Sequence, residues 1–83
     1  MKYYCYILYS PATGRTYIGI SSDVEKRLKE HNAGRSGYSK KYKPWVLIST
    51  ESYKDRQEAR VREKYFKSST GRKKIAKLYS GIV

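Results

Sequence analysis

The sequence predicts an α+β domain, a small sheet faced by helices in the order ββαβαα. Three observations carry that expectation. Runs rich in Tyr, Ile and Val stand at 3–10, 16–20 and 45–53, the composition of strands. Two capping patterns, Ser22-Asp23-Val24-Glu25 and Asp55 with Glu58, each open a stretch of helical periodicity. No repeat or linker interrupts the chain, and its 83 residues suit a single domain spanning 1–83.

Each element has a local cause. Along the first strand Tyr3, Cys5, Ile7 and Tyr9 point to one face and Tyr4, Tyr6 and Leu8 to the other. Pro11-Ala12-Thr13-Gly14 is turn chemistry, so the first two strands form a hairpin. Ser22 stands as the N-cap of the first helix, which runs to about Asn32 and ends at Gly34. Residues 34–43 mix Gly, Ser and bases without periodicity, a basic loop closed by Pro44. Asp55 caps a second helix to about Ser68, which Gly71 is expected to break. Ile75, Leu78, Tyr79 and Ile82 then fall at helical spacing and predict a short final helix.

Charge narrows the function. Nineteen Lys and Arg against seven Asp and Glu give a net charge of +12. Residues 1–25 are neutral, whereas 26–43 carry +6 and 54–83 carry +7. One-signed charge of this density matches a polyanion, nucleic acid above all. The apolar runs are too short to span a membrane. Residues 1–9 lack the pattern of a secretory signal. Cys5 is the single cysteine, so no internal disulfide forms and no Cys/His cluster offers a zinc site. A reducing, cytoplasmic setting is the expectation.

Candidate functional residues emerge from three places. Gly19, inside the second strand, marks a point where a ligand or another backbone comes close, and Tyr17 shares its face. On the first helix Val24, Leu28 and His31 form one stripe, with Arg27 beside it and one turn before His31. The plainer explanation makes His31 a boundary residue at a helix end and Arg27 a solvated base. On the second helix Ala59, Glu63 and Phe66 share an inward stripe, with Val61 and Tyr65 opposite. An inward carboxylate needs a base or a metal, and Arg60 or Arg62 is the structural alternative. A bound metal would take one carboxylate with waters and phosphate oxygens, an arrangement that suits Mg²⁺. Most of the ten tyrosines read as core.

Taken together, Tyr4-Cys5-Tyr6, a turn, Tyr17-Ile18-Gly19, then Arg27, His31 and Glu63 resemble the GIY-YIG endonuclease superfamily. The similarity is to its small single-domain members and runs from Tyr3 to about Lys77, through YCYILYS, TYIGIS, RLKEHNAG, KPWVL and QEARVREK. It implies a three-stranded antiparallel sheet flanked by helices and metal-dependent hydrolysis of a DNA phosphodiester with Mg²⁺ or Mn²⁺. By position, Tyr6 and Tyr17 match the two motif tyrosines, and Gly19 matches the glycine that keeps the site open. Arg27 matches the phosphate-steadying arginine, His31 a His-or-Tyr position and Glu63 the metal ligand. Tyr4 and Cys5 replace the first motif's Gly and Ile, and no Asn follows Glu63 where some relatives carry one.

Tyr17 is then the expected proton acceptor from the attacking water, with Tyr6 and His31 orienting or sharing that proton. Lys40, Lys41, Lys43, Arg72, Lys73, Lys74 and Lys77 are candidate phosphate contacts. The expected activity is an endonuclease acting on DNA, on branched or damaged structures in repair or recombination, with target choice supplied by a protein partner. The competing expectation is a non-catalytic basic nucleic-acid-binding domain on the same fold.

Overall fold

The structure, a computed structural model, describes residues 2–34 and 41–80. At its centre lies a three-stranded antiparallel sheet, with β1 (Tyr3–Ser10) between β2 (Arg15–Ser21) and β3 (Val46–Tyr53). The helices are α1 (Val24–Asn32), α2 (Arg56–Lys67) and α3 (Ser69–Ser80). This is the α+β class and the ββαβαα order that the sequence predicts.

The alternation along β1 produces two cores, one on each face of the sheet. Cys5 and Ile7 pack with Phe66 and Ile75 from α2 and α3. Tyr6 and Leu8 pack on the opposite face with Trp45, Tyr17, Val24 and Leu28. Central placement buries β1 from Cys5 to Ser10, and each large apolar side chain so buried stabilises by about 1.5–3 kcal/mol. The hairpin turns where Gly14 takes φ 74° and its N–H donates to the Ser10 carbonyl at 2.7 Å. Opposite Ile7 and Leu8 the β1–β3 register slips by one residue, leaving Ile48 extra in β3 and packed on the first core.

Three local expectations are corrected. Asp23, not Ser22, caps α1, its Oδ1 accepting from the Lys26 N–H at 3.1 Å. The shift follows from Ser21, whose Oγ accepts from the Asp23 N–H and donates to the Asp23 carbonyl, so that the turn out of β2 ends one residue later. Gly71 does not break α2. The break is Ser68, with ψ 165°, whose hydroxyl donates to the Tyr65 carbonyl and accepts from the Gly71 N–H. Gly71 lies buried in the first turn of α3, where a Cβ would run into the Tyr65 carbonyl oxygen and come within 2.5 Å of the Phe66 Cα. Close approach of two helices, not chain termination, is what requires glycine there. Finally, Val61 is exposed as expected, but Tyr65 packs against the first core. It stands only about 100° from Phe66 around the helix. The final helix thus begins at Ser69, well ahead of its apolar stripe; Ile82 lies outside the described residues.

Candidate active site

The site is built on the face of the sheet covered by α1. Tyr6 pairs with Gly19 across the β1–β2 register, and Leu8 with Tyr17. Both tyrosines therefore project from the same face. A Cβ on Gly19 would lie 2.6 Å from the Tyr6 hydroxyl oxygen and 3.1 Å from a Tyr17 ring carbon. The side chain that comes close to Gly19 is that of Tyr6. The missing side chain lets the Tyr6 ring lie across β2 towards Tyr17, with ring centroids 6.3 Å apart.

Helical spacing on α1 delivers the next two groups. Val24 and Leu28 pack onto the second core, which turns His31 inward. His31 is 1% exposed, so its reading as a boundary residue is overturned. Its ring lies 4.5 Å from that of Tyr17, and its Nε2 is 3.4 Å from the Tyr6 hydroxyl. Among the described residues its buried Nδ1 finds no hydrogen-bond partner. Arg27, one turn earlier, hydrogen-bonds the Tyr6 hydroxyl and pairs with Glu30 at 3.0 Å. It is not simply a solvated base. The site converges as two tyrosines, one histidine and one arginine.

Asn32 holds this group against the sheet, a role that the sequence does not reveal. Its Nδ2 donates to the Trp45 carbonyl at 3.2 Å and its Oδ1 accepts from the Trp45 N–H at 2.5 Å. Both backbone groups of a buried residue are satisfied by one side chain at the end of α1. Trp45 in turn sets its ring 6.2 Å from that of Tyr17.

Glu63 comes from α2. Its side chain is 19% exposed and its Oε2 lies 3.4 Å from the Lys67 ammonium. The expected arginine partner is therefore replaced by a lysine. Arg62 is held elsewhere, donating through Nε and an Nη to Glu51 at 2.8 and 3.3 Å, with its guanidinium over the Tyr65 and Phe66 rings. Glu63 is still near enough to Tyr6 for its charge to oppose phenolate formation.

The electrostatics separate the groups. Burial pushes the Tyr6 phenol up, against a smaller downward pull from the Arg27 hydrogen bond. Burial, then the Arg27 charge, push His31 below its ordinary value of 6.5, with Glu30 opposing. The imidazole is neutral at physiological pH. Burial also raises Cys5 to about 11, which leaves its thiol protonated and unreactive. For Glu51, burial acts upward, but hydrogen bonds from Arg62 and Tyr53 outweigh it and lower the carboxyl.

The His31 shift has a consequence for stability. Below pH 6.5 the unfolded chain takes up a proton that the folded one holds off, so stability rises with pH across this window. The melting temperature is expected to fall as pH drops from 6.5 towards 5 and to level above 6.5. In His31→Gln that slope should disappear; an unchanged slope would place its origin elsewhere.

Two of the basic candidates on α3 face different surroundings. Lys41, Lys43, Lys73 and Lys77 are exposed, and Lys40 lies outside the described residues. Arg72 lines a cleft beside β2, whereas Lys74 lies near enough to Glu51 to help lower that carboxyl. The two point to different sides of α3. Arg15 and Lys67, absent from the sequence-based set, line the same cleft as Arg72. They are far apart in the chain and only the fold joins them.

Residues 2–76 match the family model of the GIY-YIG catalytic domain. The chain belongs to the GIY-YIG family. Nuclease chemistry is what that family implies. Among curated proteins, this GIY-YIG domain is 42% identical over 59 residues to the UPF0213 protein YazA of Bacillus subtilis, across 70% of this chain and 60% of YazA. It is 34% identical to a UPF0213 protein of Streptococcus agalactiae, covering 87% of this chain and 82% of that one. With a UPF0213 protein of Staphylococcus saprophyticus it shares 33% identity across 96% and 98%. The solution NMR structure of a UPF0213 protein from Bacillus halodurans superposes with a TM-score of 0.55 at 30% identity, covering 94% of this chain and 85% of that one.

Proposed function

We propose that this GIY-YIG domain is a metal-dependent endonuclease that hydrolyses DNA phosphodiester bonds, with Tyr6, Tyr17, Arg27 and His31 at the reacting phosphate and Glu63 as metal ligand. The observation that carries the reading is the convergence of Tyr6, Tyr17 and a neutral buried His31, with Arg27 at the Tyr6 hydroxyl and Glu63 near enough for its charge to act on Tyr6. A binding domain has no use for a carboxylate next to phosphate.

Glu63 suits a hard cation. Among the described residues no three His, Cys, Asp or Glu come together as a zinc-type cage would need. One carboxylate with waters and phosphate oxygens is a common way to hold Mg²⁺ or Mn²⁺, and an ammonium already stands beside this carboxylate. A cation bound there supplies positive charge for the phosphoryl oxygens and for the leaving oxygen. Arg27 contributes a planar fork that can bridge two phosphate oxygens, which Lys cannot copy. Tyr6, whose proton burial retains, orients Arg27 and His31. Tyr17 accepts the proton of the attacking water as its own phenolic proton passes to the neutral His31 beside it.

Tyr17→Phe is therefore expected to lower the cleavage rate by about 10²–10⁴-fold, the range of a lost general base. Tyr6→Phe, which removes an orienting hydroxyl, should cost less and leave the shape of the pH–rate profile in place. Full activity in Tyr17→Phe would sink the assignment. The reading as a whole is tested by cleavage of supercoiled plasmid and of branched DNA with Mg²⁺ or Mn²⁺, beside Glu63→Ala. Nicking that needs the metal and vanishes in the variant supports the nuclease. Tight DNA binding without cleavage of either substrate favours the non-catalytic binding domain. Preference for the branched substrate would support a role in repair or recombination.

A further inference from the structure

The cleft beside β2 has a volume of about 560 Å³, ample for a small ligand group. Its walls are Arg15 and Tyr17 of β2 on one side, and Lys67, Arg72 and Ile75 of α2 and α3 on the other. Among the described residues three cations and no carboxylate line it. β2 is an edge of the sheet, bonded on one side to β1. Like charges gathered along such an edge repel one another unless an anion lies between them. Two residues tie the cleft to the active site. Tyr17 forms part of its wall while its ring meets that of His31 at a tilt, centroids 4.5 Å apart. Lys67 lines it while pairing with Glu63 at 3.4 Å. Arg15 is steadied by Tyr42, with its guanidinium 4.7 Å from the ring centroid.

We infer that this cleft seats a backbone phosphate of the cleaved DNA strand, next to the scissile phosphate, with Lys67 and Arg72 as its main contacts and Arg15 at its mouth. The inference rests on the nuclease reading and adds to it the path that the strand takes away from the tyrosines, over the free edge of β2 towards the corner between α2 and α3. A group held there is within reach of both Tyr17 and Glu63, as the continuation of a bound strand would be. Phosphate contacts of this kind position the strand without reading its sequence.

The test is equilibrium binding of a fluorescent DNA duplex in chelator, so that cleavage plays no part, at several salt concentrations. Lys67→Gln/Arg72→Gln is compared with Lys54→Gln/Arg56→Gln, which removes the same charge at the start of α2, just beyond β3, and with the wild type. Melting curves confirm that all three are folded. The cleft variant is expected to bind roughly tenfold more weakly, with the slope of log affinity against log salt reduced by about 1.8 for two lost contacts. The control should bind within about twofold of wild type. Equal weakening in both variants would reduce the effect to net charge and overturn the cleft, as would a cleft variant that binds like the wild type. A wild type that fails to bind DNA even at low salt would instead overturn the proposed function itself.

Discussion

Glu63→Ala is expected to lower metal-dependent DNA cleavage by about 10³-fold or more while the domain stays folded. The size follows from the role. A cation at a phosphoryl oxygen is worth several kcal/mol of transition-state stabilisation, and each ~1.4 kcal/mol is a factor of ten in rate. The structural cost is small by comparison. Glu63 pairs with Lys67, a lysine more than half exposed at 3.4 Å, and surface pairs of this kind contribute about 0–1 kcal/mol. The melting temperature should therefore move by only a few degrees, roughly 4–8 °C per kcal/mol in a domain of this size. Metal-free DNA binding should hold or strengthen slightly, because the variant loses a negative charge from a chain of net +12. That combination separates a metal ligand from a structural carboxylate. Removing a structural carboxylate would lower stability and activity together, whereas a metal ligand takes activity alone. Cleavage at the wild-type rate would mean that Glu63 holds no catalytic metal.

The parts of this architecture legible in the sequence are those set by near neighbours. Alternation along Tyr3–Ser10 foretells two buried faces because a central strand has a core on each side. Asp55 reads as a cap because its partner, the Glu58 N–H, is three residues away. The stripe on α1 places Arg27 next to His31. The misreadings arise where a distant segment decides. Gly71 looks like a helix stop until the Tyr65 carbonyl is seen beneath it. His31 looks like a boundary residue until Tyr6 and Tyr17 close over it. Arg62 was an obvious partner for its neighbour Glu63, but the side chains diverge around the helix and Glu51, on β3, takes it. Asn32 carried no signal at all, since its two partners belong to Trp45 across the loop. The cleft of Arg15, Lys67 and Arg72 is of the same kind: only Arg72 reads as a phosphate contact until the β2 edge meets the helical corner and joins the other two to it.

Gly19→Ala is the second large effect expected, and it acts on geometry without removing any reactive group. The added methyl would stand 2.6 Å from the Tyr6 hydroxyl oxygen and 2.7 Å from the ring carbon that bears it. A flexible side chain on a surface could swing aside. Tyr6 cannot, being 1% exposed and packed with Leu8 and Trp45. It must instead tilt away from Gly19, and its hydroxyl carries with it the contacts to Arg27 and His31. Overpacking a tight core costs about 1–3 kcal/mol, a fall in melting temperature on the order of 5–20 °C here. A displacement near 1 Å at reacting groups can cost about 10² in rate. Cleavage should therefore drop by about that factor at temperatures where the variant is fully folded, with metal dependence and DNA binding retained. Pairing the change with Tyr6→Phe tests the cause directly. If the Tyr6 hydroxyl is what the methyl displaces, the double variant should regain part of the lost stability. Its activity should be no lower than that of Tyr6→Phe alone. Independent, additive losses in the double variant would mean that the methyl acts through Tyr17, 3.1 Å away, or through the strand itself.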